Sequence, residues 1–188
     1  MLKTLLIIIA IPLSSGVLRA QEPGADHPAT RTPEFGEKLA AGKPACALPR
    51  VTIDADFWLA QLPLDLGSIY MPKDYTAQPR KHPSTAEWMA PDGTKLDVRV
   101  DSFPIGVMST NASGAKLERS PQCVVAISGH HAVVDRLRIT TDTDTYYLAM
   151  IPVFAASGRV INATIQATSE ERRDDLLAHL VTASLTEK

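Results

Sequence analysis

The feature that most constrains this chain is a change of period near its end. Val160, Asn162, Thr164 and Gln166 alternate with Ile161, Ala163, Ile165 and Ala167, a period of two that sends successive side chains to opposite faces of a strand. Leu176, Leu177, Leu180, Val181 and Leu185 then fall at helical spacing on one side of the segment from Ser169 to Leu185. Thr168 and Glu171 have the spacing of a capping box, and Glu170, Glu171, Asp174 and Asp175 suit the positive end of a helix dipole. A leucine stripe of this kind must bury itself against an apolar surface, and the strand before it supplies one.

The preceding stretches supply more strands. Leu96, Val98 and Val100 alternate with Asp97, Arg99 and Asp101, the pattern of a half-buried strand. Cys123 to Ile127, Ala132 to Ile139 and Tyr146 to Phe154 are apolar runs separated by Gly129 and by the polar turn Thr140 to Asp144. Pro152 predicts an edge position or a bulge within its strand. Ser68 to Met71 and Glu87 to Ala90 read as shorter strands, and Pro91-Asp92-Gly93 as a turn. Phe103 to Ser120 reads as a long loop. Between Arg50 and Leu66, Val51-Thr52-Ile53 reads as a short strand. Asp54 to Leu62 reads as a helical turn with Phe57 and Trp58 in the core, stopped by Pro63. The fold class expected is α+β: an antiparallel β-sheet meander with a C-terminal helix packed across it, plus a short N-terminal helix starting at Thr32-Pro33.

The N-terminus carries a second constraint. Lys3, the uncharged run Leu5 to Leu13 and the small residue at Ala20 are the three parts of a secretory signal, so cleavage is expected after Ala20. The apolar run is about half the length a membrane-spanning helix needs, and no membrane span is expected after cleavage. The organisation expected is a signal peptide over 1–20, a flexible leader with a short helix over 21–45, and one α+β domain over 46–188. Residence is then periplasmic or secreted, and the chain is expected to be a monomer. In such a compartment the two cysteines, Cys46 and Cys123, are expected to form a disulfide. Removing Lys3 and Arg19 from the 19 basic residues leaves 17 against 21 acidic ones, a balance that argues against a nucleic-acid partner.

From Ser68 to Lys188 the chain resembles the PsbP-like fold group, named for an accessory protein of the photosynthetic oxygen-evolving complex. The likeness lies in an early strand ending in Met71-Pro72, Trp88 with the Asp92-Gly93 hairpin, and the paired strands of Tyr146 to Ala167 feeding the terminal helix. The resemblance is one of element order, so it implies a fold, and a non-enzymatic role in binding, docking or stabilising a partner. The N-terminal third and the cysteine pair depart from that pattern.

Reactive side chains are sparse. His130-His131 invites a metal, yet neighbours on a strand face opposite ways, and chelation would need help from His82 or Asp135. Asp142 and Asp144 suit a polar turn better than a calcium loop. Ser128-Gly129-His130 lacks the flanking glycines of a nucleophile elbow. Paired acids at Asp54 and Asp56 or Asp174 and Asp175 fit helix ends and surfaces. Asn111 and Asn162 match glycosylation acceptors by pattern alone. No cofactor or metal is expected. The binding surface expected comprises Tyr146 or Tyr147, whichever is exposed, with His130 and His131. The function read from the sequence is therefore an exported, non-enzymatic binding or accessory protein whose partner is a protein or a small molecule. The alternative is a secreted hydrolase or metal-dependent enzyme using scattered His and Asp residues.

Overall fold

The computed structural model describes residues 33–104 and 115–186. The signal segment, Thr32, Asn111 and the start of the leader lie outside the described residues. The short first helix, α1, spans Pro33–Ala40, and Gly42 (φ 74°) closes it in the left-handed region that glycine adopts without cost.

Eleven strands follow among the described residues. A three-stranded antiparallel sheet is built from β1 (Phe57–Gln61), β2 (Gly67–Pro72) and β11 (Ser184–Leu185), with β2 in the centre. The large sheet contains β3 (Thr76–Ala77), β4 (Thr85–Met89), β5 (Lys95–Asp101), β6 (Lys116–Arg119), β7 (Cys123–Ile127), β8 (His130–Thr140), β9 (Thr145–Phe154) and β10 (Val160–Ala167). Its order is β3-β4-β5-β10-β9-β8-β6, with β7 paired to the first half of β8. The meander β8-β9-β10 matches the expectation from the sequence. The insertion of β10 beside β5 is a long-range pairing that no local pattern specifies. Between β10 and the terminal strand lies α2 (Glu170–Val181).

One continuous core joins both sheets to α2. Leu176, Leu177 and Leu180 of the helix are buried with Ile69 and Met71 of β2, Leu96 and Val98 of β5, and Ile151 and Ile165 of β9 and β10. Trp58 is tied over β2 by its indole N–H, which donates to the Pro72 carbonyl at 3.2 Å. At about 25 cal/mol per Å², burying one such leucine contributes about 2 kcal/mol. The opposite face of β8 and β9 is covered by α1, where Phe35 meets Phe154 edge-on with ring centres 5.1 Å apart.

Several local expectations need correction. Val51-Thr52-Ile53 is not a strand, and Asp54 to Leu62 is not helical. Asp54 instead accepts the Asp56 N–H in a local turn (2.8 Å), and Phe57–Gln61 pairs with β2. Pairing that buries Ala60 outweighs a weak helical tendency. The stretch read as a loop after Phe103 contains β6, a strand made by its pairing with β8. The cap of α2 is Ser169, whose hydroxyl accepts the Arg172 N–H, so the Thr168/Glu171 box does not form. The helix ends at Val181, and Leu185 belongs to β11 rather than to the helical stripe. Pro152 sits on a central strand, but β8 stops pairing at Asp135↔Met150, so this part of β9 is bonded on one side only. Asn162 lies buried in mid-strand, donating to the Phe103 carbonyl and the Asp101 carboxylate.

Candidate functional site

The residues singled out from the sequence do not converge. His131 lies at the start of β8, with Nδ1 2.7 Å from Glu37 Oε2 of α1. His130, its neighbour, is directed to the other face of the strand. Tyr146 pairs with Ile139 and Tyr147 with Arg138, near the far end of β8. About eight residues at roughly 3.3 Å each separate that end from His131. The two tyrosines face opposite sides, as an extended strand requires. Both are half-buried, and the Arg138 guanidinium lies over the Tyr147 ring at 5.9 Å. Partial burial and the adjacent Asp144 carboxylate raise the Tyr146 phenol above its usual range. Among the described residues, no three His, Cys, Asp or Glu side chains are grouped to hold a metal. Asp144 closes the β8–β9 turn, where its backbone carbonyl accepts from the Thr141 N–H and hydroxyl.

Cys46 and Cys123 are bonded, with Cα atoms 4.9 Å apart and a sequence separation of 77. The bridge sits where the Cys46 N–H donates to the Val124 carbonyl and the Val124 N–H to the Pro44 carbonyl. The segment before β1 is thus stitched to β7. Arg136 Nη2 approaches the Cys123 sulfur at 3.2 Å and its Nη1 donates to Asp174 Oδ2 at 3.5 Å, while Arg173 Nε bonds the other Asp174 oxygen at 2.9 Å. Two guanidinium groups share one carboxylate beside the disulfide.

A second polar cluster fastens the start of α2. Arg172 Nε donates to Asp92 at 2.9 Å, its Nη2 reaches Asp74 at 3.4 Å, and its guanidinium lies 5.9 Å from the Tyr75 ring centre. Burial pushes the Tyr75 phenol up to about 12, against the lowering pull of Arg172, so the phenol stays neutral. Burial alone would raise Asp92, but the Thr94 N–H and Arg172 bonds outweigh it and hold that carboxyl below the usual range. This cluster is a clamp between α2 and the β4–β5 turn. His82 Nδ1 also meets Ser84 Oγ at 2.8 Å, a pairing the sequence reading overlooked. It is a local contact two residues apart. Among the described residues no carboxylate bonds the other imidazole nitrogen, so nothing orients the ring as a base.

A concave surface lies elsewhere, where the two sheets meet at the C-terminal strand. A cavity of about 320 Å³ is lined by Leu64, Asp65, Leu66, Ala155, Ser157, Arg159, Ile161, Leu185 and Thr186. Ala155 and Ile161 are buried and form its floor with the half-buried Leu66 and Leu185. Asp65, Ser157, Arg159 and Thr186 are exposed and form its rim. Three pieces of chain build it: the β1–β2 turn, the β9–β10 turn and β11. The Thr186 N–H donates to the Leu66 carbonyl at 2.8 Å, and the Leu185 N–H to Ser128 Oγ at 3.1 Å, so β11 is held from both sides. Ser128 therefore has a structural task at the position where a nucleophile was weighed.

The wall supplied by β1–β2 is strained. Leu66 N–H bonds the Pro63 carbonyl, and Leu62 N–H the Gly67 carbonyl, closing a tight hairpin. Its central residues, Leu64 (φ 57°, ψ 28°) and Asp65 (φ 54°), both lie in the left-handed region. Such a turn favours Asn-Gly, because a branched side chain there crowds the backbone. Leu64 is also 42 % exposed, so burial does not repay the strain. Strain of this kind persists where the surroundings over-determine the backbone, and it gathers at sites with a task. Read as a helix stop, Pro63 hides this turn in the sequence. The signal available was the Pro-Leu-Asp-Leu-Gly run, which has turn residues on both flanks.

The chain is thus an α+β protein in which an antiparallel sheet carries a C-terminal helix and a second small sheet. No protein-family model matches it, and no curated protein is similar to it in sequence. Among solved structures it is similar to cyanobacterial PsbP (CyanoP) from Synechocystis, with a TM-score of 0.49 and 12 % identity over 75 % of this chain and 98 % of that one. It is also similar to a crystal structure from Bacteroides thetaiotaomicron, with a TM-score of 0.49 and 8 % identity over 72 % of this chain. This chain spans 50 % of the length of that second protein. Both likenesses concern the path of the backbone alone, and neither bears on activity, ligand or partner.

Proposed function

We propose that this protein is an exported, non-catalytic binding protein whose ligand seat is the cavity between the β1–β2 turn, the β9–β10 turn and β11. The observation that carries the reading is the cavity's construction: an apolar floor of Ala155, Ile161, Leu66 and Leu185 beneath a rim of charges and hydroxyls. Small-molecule sites have this make-up, and about 320 Å³ falls at the lower end of their size range. Export is supported by the signal-like pattern through Ala20 and by a disulfide of the kind oxidising compartments preserve.

The reading is tested by thermal unfolding of the full chain against small-molecule fractions from the medium and periplasm of a secreting host. A ligand that binds only the folded state raises the midpoint in proportion to the logarithm of its concentration. At least one fraction should do so for the native protein and not for Ser157→Trp, which places an indole over the cavity mouth. A midpoint that no fraction moves, or one that moves equally in Ser157→Trp, overturns the reading. For export, mass spectrometry of the secreted protein should find Gln21 as the first residue; a retained Met1 would contradict it.

A further inference from the structure

We infer that the ligand of this cavity is a small zwitterion with an apolar body, of amino-acid size, held by its carboxylate on Arg159 and its ammonium on Asp65. The inference rests on the proposed binding function and adds the chemical class of the ligand. The rim carries two opposite charges, Asp65 and Arg159. Among the described residues neither makes an ion pair or a side-chain hydrogen bond, although salt bridges occur at many other positions. They do not neutralise one another, because no contact within 4.0 Å joins them.

Each charge excludes one simpler ligand. A lone carboxylate would be drawn to Arg159 and repelled by Asp65, and a lone ammonium would meet the reverse. A ligand bearing both charges satisfies both groups, and the pairing is strengthened where an apolar floor displaces water. That floor, Ile161 with Leu66 and Leu185, calls for a hydrocarbon body between or beside the two charged ends. Ser157 and Thr186 line the same rim, and a hydroxyl can donate to or accept from the ligand's polar end. The geometry of Asp65 is held by the strained turn. The hairpin fixes the backbone of Asp65 at φ 54° on the cavity rim, beside the floor residue Leu66.

The test is calorimetric titration of the full chain with three probes that carry the same isobutyl group: L-leucine, 3-methylbutanoate and 3-methylbutylamine. L-leucine should bind at least tenfold more tightly than either single-charge probe. Arg159→Met should weaken L-leucine at least tenfold and leave 3-methylbutylamine no weaker. Asp65→Asn should weaken L-leucine at least tenfold and leave 3-methylbutanoate no weaker. Melting midpoints of both variants close to the native value establish that they fold. If 3-methylbutanoate binds as well as L-leucine, or Asp65→Asn changes nothing, the zwitterion inference fails while the cavity remains a binding site. If none of the three binds but a fraction in the thermal screen is still blocked by Ser157→Trp, the inference again fails alone. If the thermal screen is also empty, the binding reading falls with it.

Discussion

Two tight hairpins in this molecule solve one backbone problem with different residues. The β7–β8 turn puts Ser128 (φ 50°) and Gly129 (φ 85°) in the left-handed region, and a Cβ added at Gly129 would meet nothing within 4 Å. The β1–β2 turn uses Leu64 and Asp65 for the same conformation and follows them with Gly67. The first turn has a compatible residue where it needs one. The second spends a glycine on something else. A Cβ at Gly67 would lie 1.9 Å from the Ser184 carbonyl oxygen, so the glycine is there to let β11 approach β2. The strain left at Leu64 and Asp65 faces the cavity. The comparison teaches that left-handed backbone by itself does not mark a site. It becomes informative where residues ill-suited to it stand beside a concave, polar-rimmed surface.

The sharpest way to break this comparison is to give both glycines a methyl group. Gly67→Ala should cost on the order of 4 kcal/mol, or abolish folding, because backbone must move to clear Ser184. Gly129→Ala should cost only about 1–2 kcal/mol, the penalty of the conformation alone. Urea unfolding of the two variants checks the ratio, and equal losses would mean that β11 does not need its close approach to β2.

The helix both sheets share comes next. Leu180, 5 % exposed, belongs to the common core, so Leu180→Ala should destabilise by about 3 kcal/mol. A loss below about 0.5 kcal/mol in the same unfolding assay would place α2 at the periphery. Relieving the strained turn should act in the opposite direction. Leu64→Asn should stabilise the protein by about 0.5–1 kcal/mol, since asparagine tolerates the left-handed region and little burial is lost. A destabilised Leu64→Asn would show that the leucine is repaid by contacts and that the turn is not strained.

The smallest effect depends on pH and reports on β1. Phe57 stacks against His179 of α2 with ring centres 4.9 Å apart, and His179 Nδ1 is buried without a hydrogen-bond partner among the described residues. Burial depresses the His179 pKa, outweighing the upward pull of Asp175 and Asp74. The folded value lies below that of the unfolded chain, about 6.5. The unfolded state therefore binds more protons in the window between them. The neutral ring's contribution is complete above about 6.5, falls away as pH drops through the window, and loses nothing further below the folded value. The urea midpoint should fall less between pH 7.5 and pH 5.5 in His179→Gln than in the native protein. Parallel slopes would remove His179 from the account.

Most of the longer strands of the large sheet were legible in the sequence because they alternate or stand between clear turn residues, whereas β3 and β6 were not. Leu96–Val100 and Val160–Ala167 each put a buried residue at every second position of one face, and Cys123–Ile127 and Val160–Ala167 keep the limits that turn chemistry sets. The disulfide was legible from compartment and number, and its sulfurs are bonded. Of the small sheet only its central strand, Ser68 to Met71, was legible; its two neighbours were not. Phe57–Gln61 is five residues long with apolar groups on both faces, a pattern that suits a helical turn as well as a strand. Only the partner strand Gly67–Pro72 decides between them. Leu185 continued the helical stripe by spacing, yet pairing with Gly67 after the helix ends at Val181 takes it elsewhere.

Sequence by itself determined what local periodicity and turn residues encode: the meander, the terminal helix and the burial of its Leu176, Leu177 and Leu180. Tertiary structure alone decided the insertion of β10 beside β5, the second sheet and the cavity. The physical reason is range. Turn and helix preferences act over a few neighbours, whereas Leu66, Ile161 and Leu185 share a cavity floor only after the chain has closed loops of tens of residues. No pattern within any one of those segments specifies the other two.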